Sequence, residues 1–174
     1  GDKGDWDSIM PGLRKIKNAK VNAVAIPWEE KIDIEEFVSK LPKSKCIIIA
    51  HSIGFIFAYY LAKLRPKKVK LIISIDGSYI GPAAVAARKM ITSELPPMLL
   101  NLIKQIPETI IEIPVRTICL RRLRIEDGVL KKYIPEDNTY DSIRYYIGNH
   151  TLHKDPAIAQ DIIDLVKMKL VKYR

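Results

Sequence analysis

Apolar positions along this chain follow two rhythms: unbroken β-branched runs, and stretches that repeat every three to four residues. Cys46–Ala50 (CIIIA), Val69–Ile75 (VKLIISI) and Val115–Leu120 (VRTICL) belong to the first kind and have strand length. Val21–Trp28 (VNAVAIPW) reads as a further buried strand ended by Pro27, and Ile143–Ile147 as the last one. Between them lie helical patterns. Trp6–Lys17 offers Ile9, Leu13 and Ile16 on one face with Pro11 in its first turns. Ile32–Leu41 begins with acidic residues, as the helix dipole favours, and Ile53–Leu64 is stopped by Arg65-Pro66. Ala83–Ile91 and Pro97–Ile106 are two more apolar helical stretches, and Pro156–Val171 closes the chain with Ile158, Ile162, Leu165 and Val166 on one face. Strands that are apolar throughout and alternate with helices predict a mostly parallel sheet covered on both sides, a three-layer α/β/α sandwich.

Composition narrows the picture. The 174 residues fit one domain spanning 1–174, and a chain of this size buries roughly 70% of its unfolded surface without staples. A 48% hydrophobic and 28% charged balance excludes a disordered chain. The apolar runs stop far short of the ~20 residues that span a bilayer, so no transmembrane segment is predicted. Gly1–Asp7 is polar and acidic, unlike a secretory leader. Cys46 and Cys119 sit inside apolar runs and read as free thiols of a reducing, cytoplasmic setting, with no metal-ligand spacing around them. Abundant Ile and Lys with little Gln lean towards a thermophilic source. Residues 1–60 carry 9 basic and 8 acidic side chains and residues 61–174 carry 20 and 12, so nearly all of the net +9 lies in the second part. Its basic residues are dispersed without interleaved aromatics, and no nucleic-acid partner is expected. Nothing in the sequence fixes an oligomeric state.

The chemistry concentrates at Ala50-His51-Ser52-Ile53-Gly54, a G-x-S-x-G nucleophile elbow with Ala in first place. It falls at the junction of a β-branched strand and a long helix. A serine on a strained turn there projects its hydroxyl clear of the backbone. Small residues two before and two after let strand and helix approach, and the helix N-terminus stabilises developing negative charge.

The stretch CIIIAHSIGFIFAYYLAKLRPKKVKLIISIDG resembles the strand, elbow, helix and following strand of the α/β-hydrolase superfamily of serine esterases and lipases. The resemblance extends more weakly over the rest of the chain. It implies an order of serine, acid and histidine along the sequence. Ile147-Gly148-Asn149-His150, ahead of the helix opened by Pro156, is similar to the family's closing G-x-H segment. His150 is therefore the first candidate base and His153 the second, while His51 is expected to line the pocket or pack. The acid is expected after Val115–Leu120, where Arg121–Ile125 intervene as an apparently lengthened loop. Asp127 is the first candidate, Glu126 the second and Asp76 the third. The implied oxyanion hole takes its N–H groups from Ile53 and from the loop around Gly4.

The family also places a strand between the two read here at Val21–Trp28 and Cys46–Ala50. Its absence from the sequence leads to the expectation of upstream residues and argues against direct pairing of those two strands. Residues 79–112 sit where the family carries a short helical cap, and they read either as a lid over a hydrophobic acyl pocket or as two helices packed on the sheet. Leu99 and Ile103 belong to its apolar face and are candidate pocket residues for a hydrophobic acyl group. The expected function is a cofactor-free serine hydrolase with a Ser-His-Asp triad, cleaving a small-to-medium hydrophobic carboxylic ester through an acyl-enzyme. The alternative is a catalytically degenerate binding or scaffold protein on the same fold.

Overall fold

The computed structural model describes residues 3–26, 32–77, 97–105, 113–126, 129–132 and 142–172. Cys46–His51 forms β1 and Val69–Ile75 forms β2, paired in parallel with Ile47 opposite Leu71 and His51 opposite Ile75. β3, Thr117–Glu126, runs parallel to β2 over Thr117–Leu120. A short β4, Val129–Lys132, folds back antiparallel on the distal half of β3. β5, Ser142–Ile147, lies parallel to Ile118–Leu123 of β3. Among the described residues, four parallel strands thus stand in the order β1, β2, β3, β5.

Among the described residues, five helices accompany them: α1 Met10–Arg14, α2 Ile34–Ser39, α3 Gly54–Leu64, α4 Pro97–Lys104 and α5 Pro156–Lys172. Their starts are set locally. Asp33 caps α2 by accepting the Glu36 N–H at 2.9 Å. Asp155 caps α5 by accepting the Ala157 N–H at 2.9 Å, with Pro156 supplying the first helical position. The two faces of the sheet bury separate clusters. Ile48, Ala50, Ile72 and Cys119 point towards α2, α3 and Leu102 of α4. Ile47, Ile49, Leu71, Ile73, Ile75, Ile118 and Leu120 meet Ile9 and Leu13 on one side of α5, whose Ile158, Ile162 and Leu165 complete the layer. This period of two across a sheet covered on both faces is the three-layer sandwich that the strand runs predict.

Two expectations need correction. Val21–Ile26 forms no strand: Val24 is 45% exposed and the segment pairs with no described strand, β1 included. An apolar run becomes a strand only where an edge accepts its backbone hydrogen bonds. The arginine-rich stretch after Leu120, expected as a loop, instead continues β3 to Glu126 and turns into β4. Arg121 is itself buried, on the face of Cys119, with its Nε 3.4 Å from the Cys119 Sγ. Within the cap region, α4 is docked on the domain: Leu102 is buried, and Gln105 donates to the Ile32 carbonyl at 2.6 Å while accepting the Ile34 N–H at 3.0 Å. Ala83–Ile91 lies outside the described residues.

The small residues of the elbow play unequal parts. A Cβ on Gly54 would meet nothing within 4 Å, so close approach is not what glycine provides there. The tight position is Gly77, just past β2, where a Cβ would lie 2.8 Å from the Ser52 carbonyl oxygen and 2.9 Å from the Phe55 Cβ. Gly77→Ala is expected to destabilise the protein by about 1–3 kcal/mol, as overpacking does. Gly54→Ala should be neutral or slightly stabilising. Thermal unfolding of the two variants checks the contrast.

Candidate active site

The site forms where β1, β2 and β5 end on the same side of the sheet. β1 stops at His51, and Ser52 follows in the left-handed region with φ 51°. For a residue other than glycine this is a strained conformation, and strain of this kind concentrates where side-chain placement matters. It is held from both sides: the Ser52 N–H donates to the Ile75 carbonyl at 2.9 Å, and the Ser52 carbonyl accepts from the Phe55 N–H at 3.1 Å. Helix α3 begins immediately after, and among the described residues the Ile53 N–H donates to nothing. That leaves a backbone donor beside Ser52, at a helix N-terminus, for an anionic oxygen.

Asp76 follows β2 with a second positive φ, 46°, its N–H donating to the Leu120 carbonyl at 2.7 Å. Its side chain is 1% exposed. Oδ2 lies 2.5 Å from Nδ1 of His150 and 3.0 Å from Nε of Arg122. Oδ1 has no partner among the described residues. A carboxylate can only accept, so His150 carries its proton on Nδ1 when neutral and turns an unprotonated Nε2 outward. His150 sits in the turn after β5, where Asn149 Oδ1 accepts from the Thr151 N–H at 2.9 Å and its hydroxyl at 2.8 Å. The Ser52 hydroxyl makes no hydrogen bond to His150 in this structure. Such contacts are often long before substrate binds.

The three histidine rings form a row of tilted contacts with His51 in the middle. The His51 ring lies 4.7 Å from that of His150 and 4.6 Å from that of His153, which in turn lies 5.1 Å from Trp6 in the 3-10 turn Lys3–Trp6. This turn, which contains Gly4, is also tied to the closing loop by an ion pair of Asp5 with Lys154 at 3.2 Å. His51 Nε2 donates to the His150 carbonyl at 2.7 Å, and burial holds the His51 pKa below the ordinary value. His153 is fully buried. Burial first, and the neighbouring His51 next, push its pKa down to about 4 from 6.5.

The sign of the pH effect follows. Between pH 6.5 and about 4 the unfolded chain binds the proton that folded His153 refuses. Its neutral, buried form therefore contributes stability fully above pH 6.5, and that contribution is lost as pH falls towards 4. Asp5 and Lys154 face the same ring with opposite charges and act as smaller, opposing influences. The Tm is expected to fall from pH 7 to pH 4.5, and to fall less in His153→Phe; differential scanning fluorimetry at the two values measures both.

The structure thus brings Asp76, the third-ranked acid, to His150. Asp127 lies outside the described residues, and Glu126 is placed only by its backbone, paired with Val129 at the end of the β3–β4 hairpin. Leu99 and Ile103 belong to α4 by their backbone alone. His51 packs between the rings of His150 and His153 and donates to the His150 carbonyl. Sequence reasoning missed Arg122 as the second partner of that carboxylate. The available signal for Asp76 was an Asp-Gly pair directly after an apolar strand, at the point where β1 already ends in the elbow.

No family model matches this chain, and no curated protein matches it in sequence. Among solved structures it is similar to tomato methylketone synthase I, in a histidine-to-alanine variant complexed with β-ketoheptanoate. The TM-score is 0.65 at 13% identity, over 99% of this chain and 95% of that one. A thioesterase domain from the curacin biosynthetic pathway gives a TM-score of 0.41 at 18% identity, covering 76% of this chain and 68% of the other. Together with the sheet order and the elbow, the first likeness defines the class: this chain has the α/β-hydrolase fold. Among the described residues no helix is long and apolar enough to cross a membrane.

Proposed function

We propose that the protein is a serine hydrolase that cleaves a hydrophobic carboxylic ester or thioester through an acyl-enzyme. The observation that carries this reading is the 2.5 Å contact of Asp76 with His150 beside a serine held at positive φ. Ser52 attacks the carbonyl carbon, and its proton passes to Nε2 of His150. Asp76 fixes the tautomer that makes Nε2 the acceptor and stabilises the imidazolium. The N–H of Ile53 and a second donor from the turn around Gly4 hold the oxyanion. His150 then returns the proton to the leaving group, and water, activated by the same base, releases the acid. No cofactor takes part in these steps. The β-ketoheptanoate held by methylketone synthase I suggests a medium-length acyl chain as the first substrate class to try.

Hydrolysis of 4-nitrophenyl esters and of acyl thioesters from two to ten carbons tests the proposal. A chain-length optimum that disappears in Ser52→Ala supports it, and equal rates in both proteins overturn it. A catalytically silent binding protein is the second reading. It is favoured by the Arg122 guanidinium, which occupies the same carboxylate oxygen as His150, and it predicts no turnover across the whole series.

A further inference from the structure

The geometry points to His51 as a positioning residue that ties the nucleophile's turn to the base's loop through the main chain of His150. This rests on the hydrolase reading above and adds to it a second anchor for the base.

Three observations carry it. Among the described residues His150 makes its side-chain hydrogen bond to Asp76 alone, and that side chain is 43% exposed. Its main chain is held separately, by His51 Nε2 donating to the His150 carbonyl at 2.7 Å. His51 is also the residue bonded to Ser52, so one side chain and one hydrogen bond join the two reacting residues.

The His51 ring is not free to drift. It rests between His150 and the buried His153, and His153 is backed by Trp6. A hydrogen bond given to a carbonyl also fixes the His51 tautomer, with the proton on Nε2 and none on Nδ1. The side chain at this position of the elbow therefore sets where Nε2 of His150 stands relative to the Ser52 hydroxyl, without touching substrate. Misplacement of a catalytic group by about 1 Å costs up to ~100-fold in rate. A purely structural role would lower stability instead and leave the kinetics of the folded protein alone.

Two variants separate the donor from the ring. His51→Phe keeps an aromatic ring in the stack and removes the N–H. His51→Gln loses the ring but places an amide N–H where Nε2 stood. The expected result is a fall in kcat on the order of 10- to 100-fold for His51→Phe with KM changed little, and substantial recovery of kcat in His51→Gln. A second readout needs no activity: the proton that His150 Nδ1 shares with Asp76, observed by NMR at low field. It should weaken or exchange faster in His51→Phe and return in His51→Gln. If the wild type hydrolyses nothing but the proton responds in this way, the hydrolase reading falls and the anchoring of His150 by His51 stands. If the proton is unchanged in His51→Phe, or kcat stays within about twofold of wild type, the proposal is overturned.

Discussion

Under the proposed mechanism, Ser52→Ala is expected to lower kcat for ester hydrolysis by on the order of 10⁴- to 10⁶-fold while leaving Tm nearly unchanged. The chemical reason is the loss of the atom that forms the acyl-enzyme, so the reaction falls back on water attacking a carbonyl polarised by the backbone donors. The structural reason for an intact fold is that Ser52 contributes its strained main chain to the elbow, not its hydroxyl. Its N–H and carbonyl make the bonds to Ile75 and Phe55, and alanine preserves both. Ser52→Gly is the informative companion. It should be equally inactive yet more stable than Ser52→Ala, because glycine adopts a φ of 51° without the strain that a Cβ imposes. Steady-state kinetics with thermal unfolding on the same samples checks both halves.

Asp76→Asn is the second large effect, on the order of 10⁴-fold in kcat. An amide in place of the carboxylate can donate to Nδ1 of His150. That moves the ring proton to Nε2, where it blocks acceptance of the serine proton. The variant also takes the charge from beside Arg122, which lies 3.0 Å from Oδ2, so stability should fall as well. The carboxyl is nearly fully buried, and breaking a buried pair by removing one partner is costly. The same substitution at Asp127 is expected to change kcat by less than about threefold. Measured side by side, the two variants decide which carboxylate orients the base. A large loss at Asp127 with a small one at Asp76 would reverse the assignment.

How far the sequence led varies along the chain in a physically sensible way. β2 was readable to the residue, Val69–Ile75, because a central strand buried on both faces is apolar at nearly every position, Lys70 and Ser74 being the exceptions here. The positions of Ser52, between β1 and α3, and of His150, in the loop after β5, were readable because both fall at junctions between an apolar strand and a helix. β3 was legible only for its first half. Beyond Leu120 half of its side chains are arginines, and a buried Arg121 breaks the rule that charge marks surface. Reading that stretch as a loop put the expected acid at Asp127, which lies outside the described residues, while the carboxylate found against His150 is that of Asp76 at the end of β2. Val21–Ile26 erred the other way, since its apolar residues promised a strand that has no described edge to pair with. The Asp-Gly pair says nothing of why Gly77 must be glycine, and its tight fit under Ser52 emerges only once β2 and α3 are packed together.

The most direct test of the account is whether Ser52 is an activated nucleophile. Incubation with a fluorophosphonate probe, followed by peptide mass spectrometry, reads this without any knowledge of the natural substrate. The account predicts a single adduct on the peptide that contains Ser52, absent in Ser52→Ala and formed much more slowly in Asp76→Asn. A folded wild-type protein that takes up no probe, or takes it up at another residue, would contradict it.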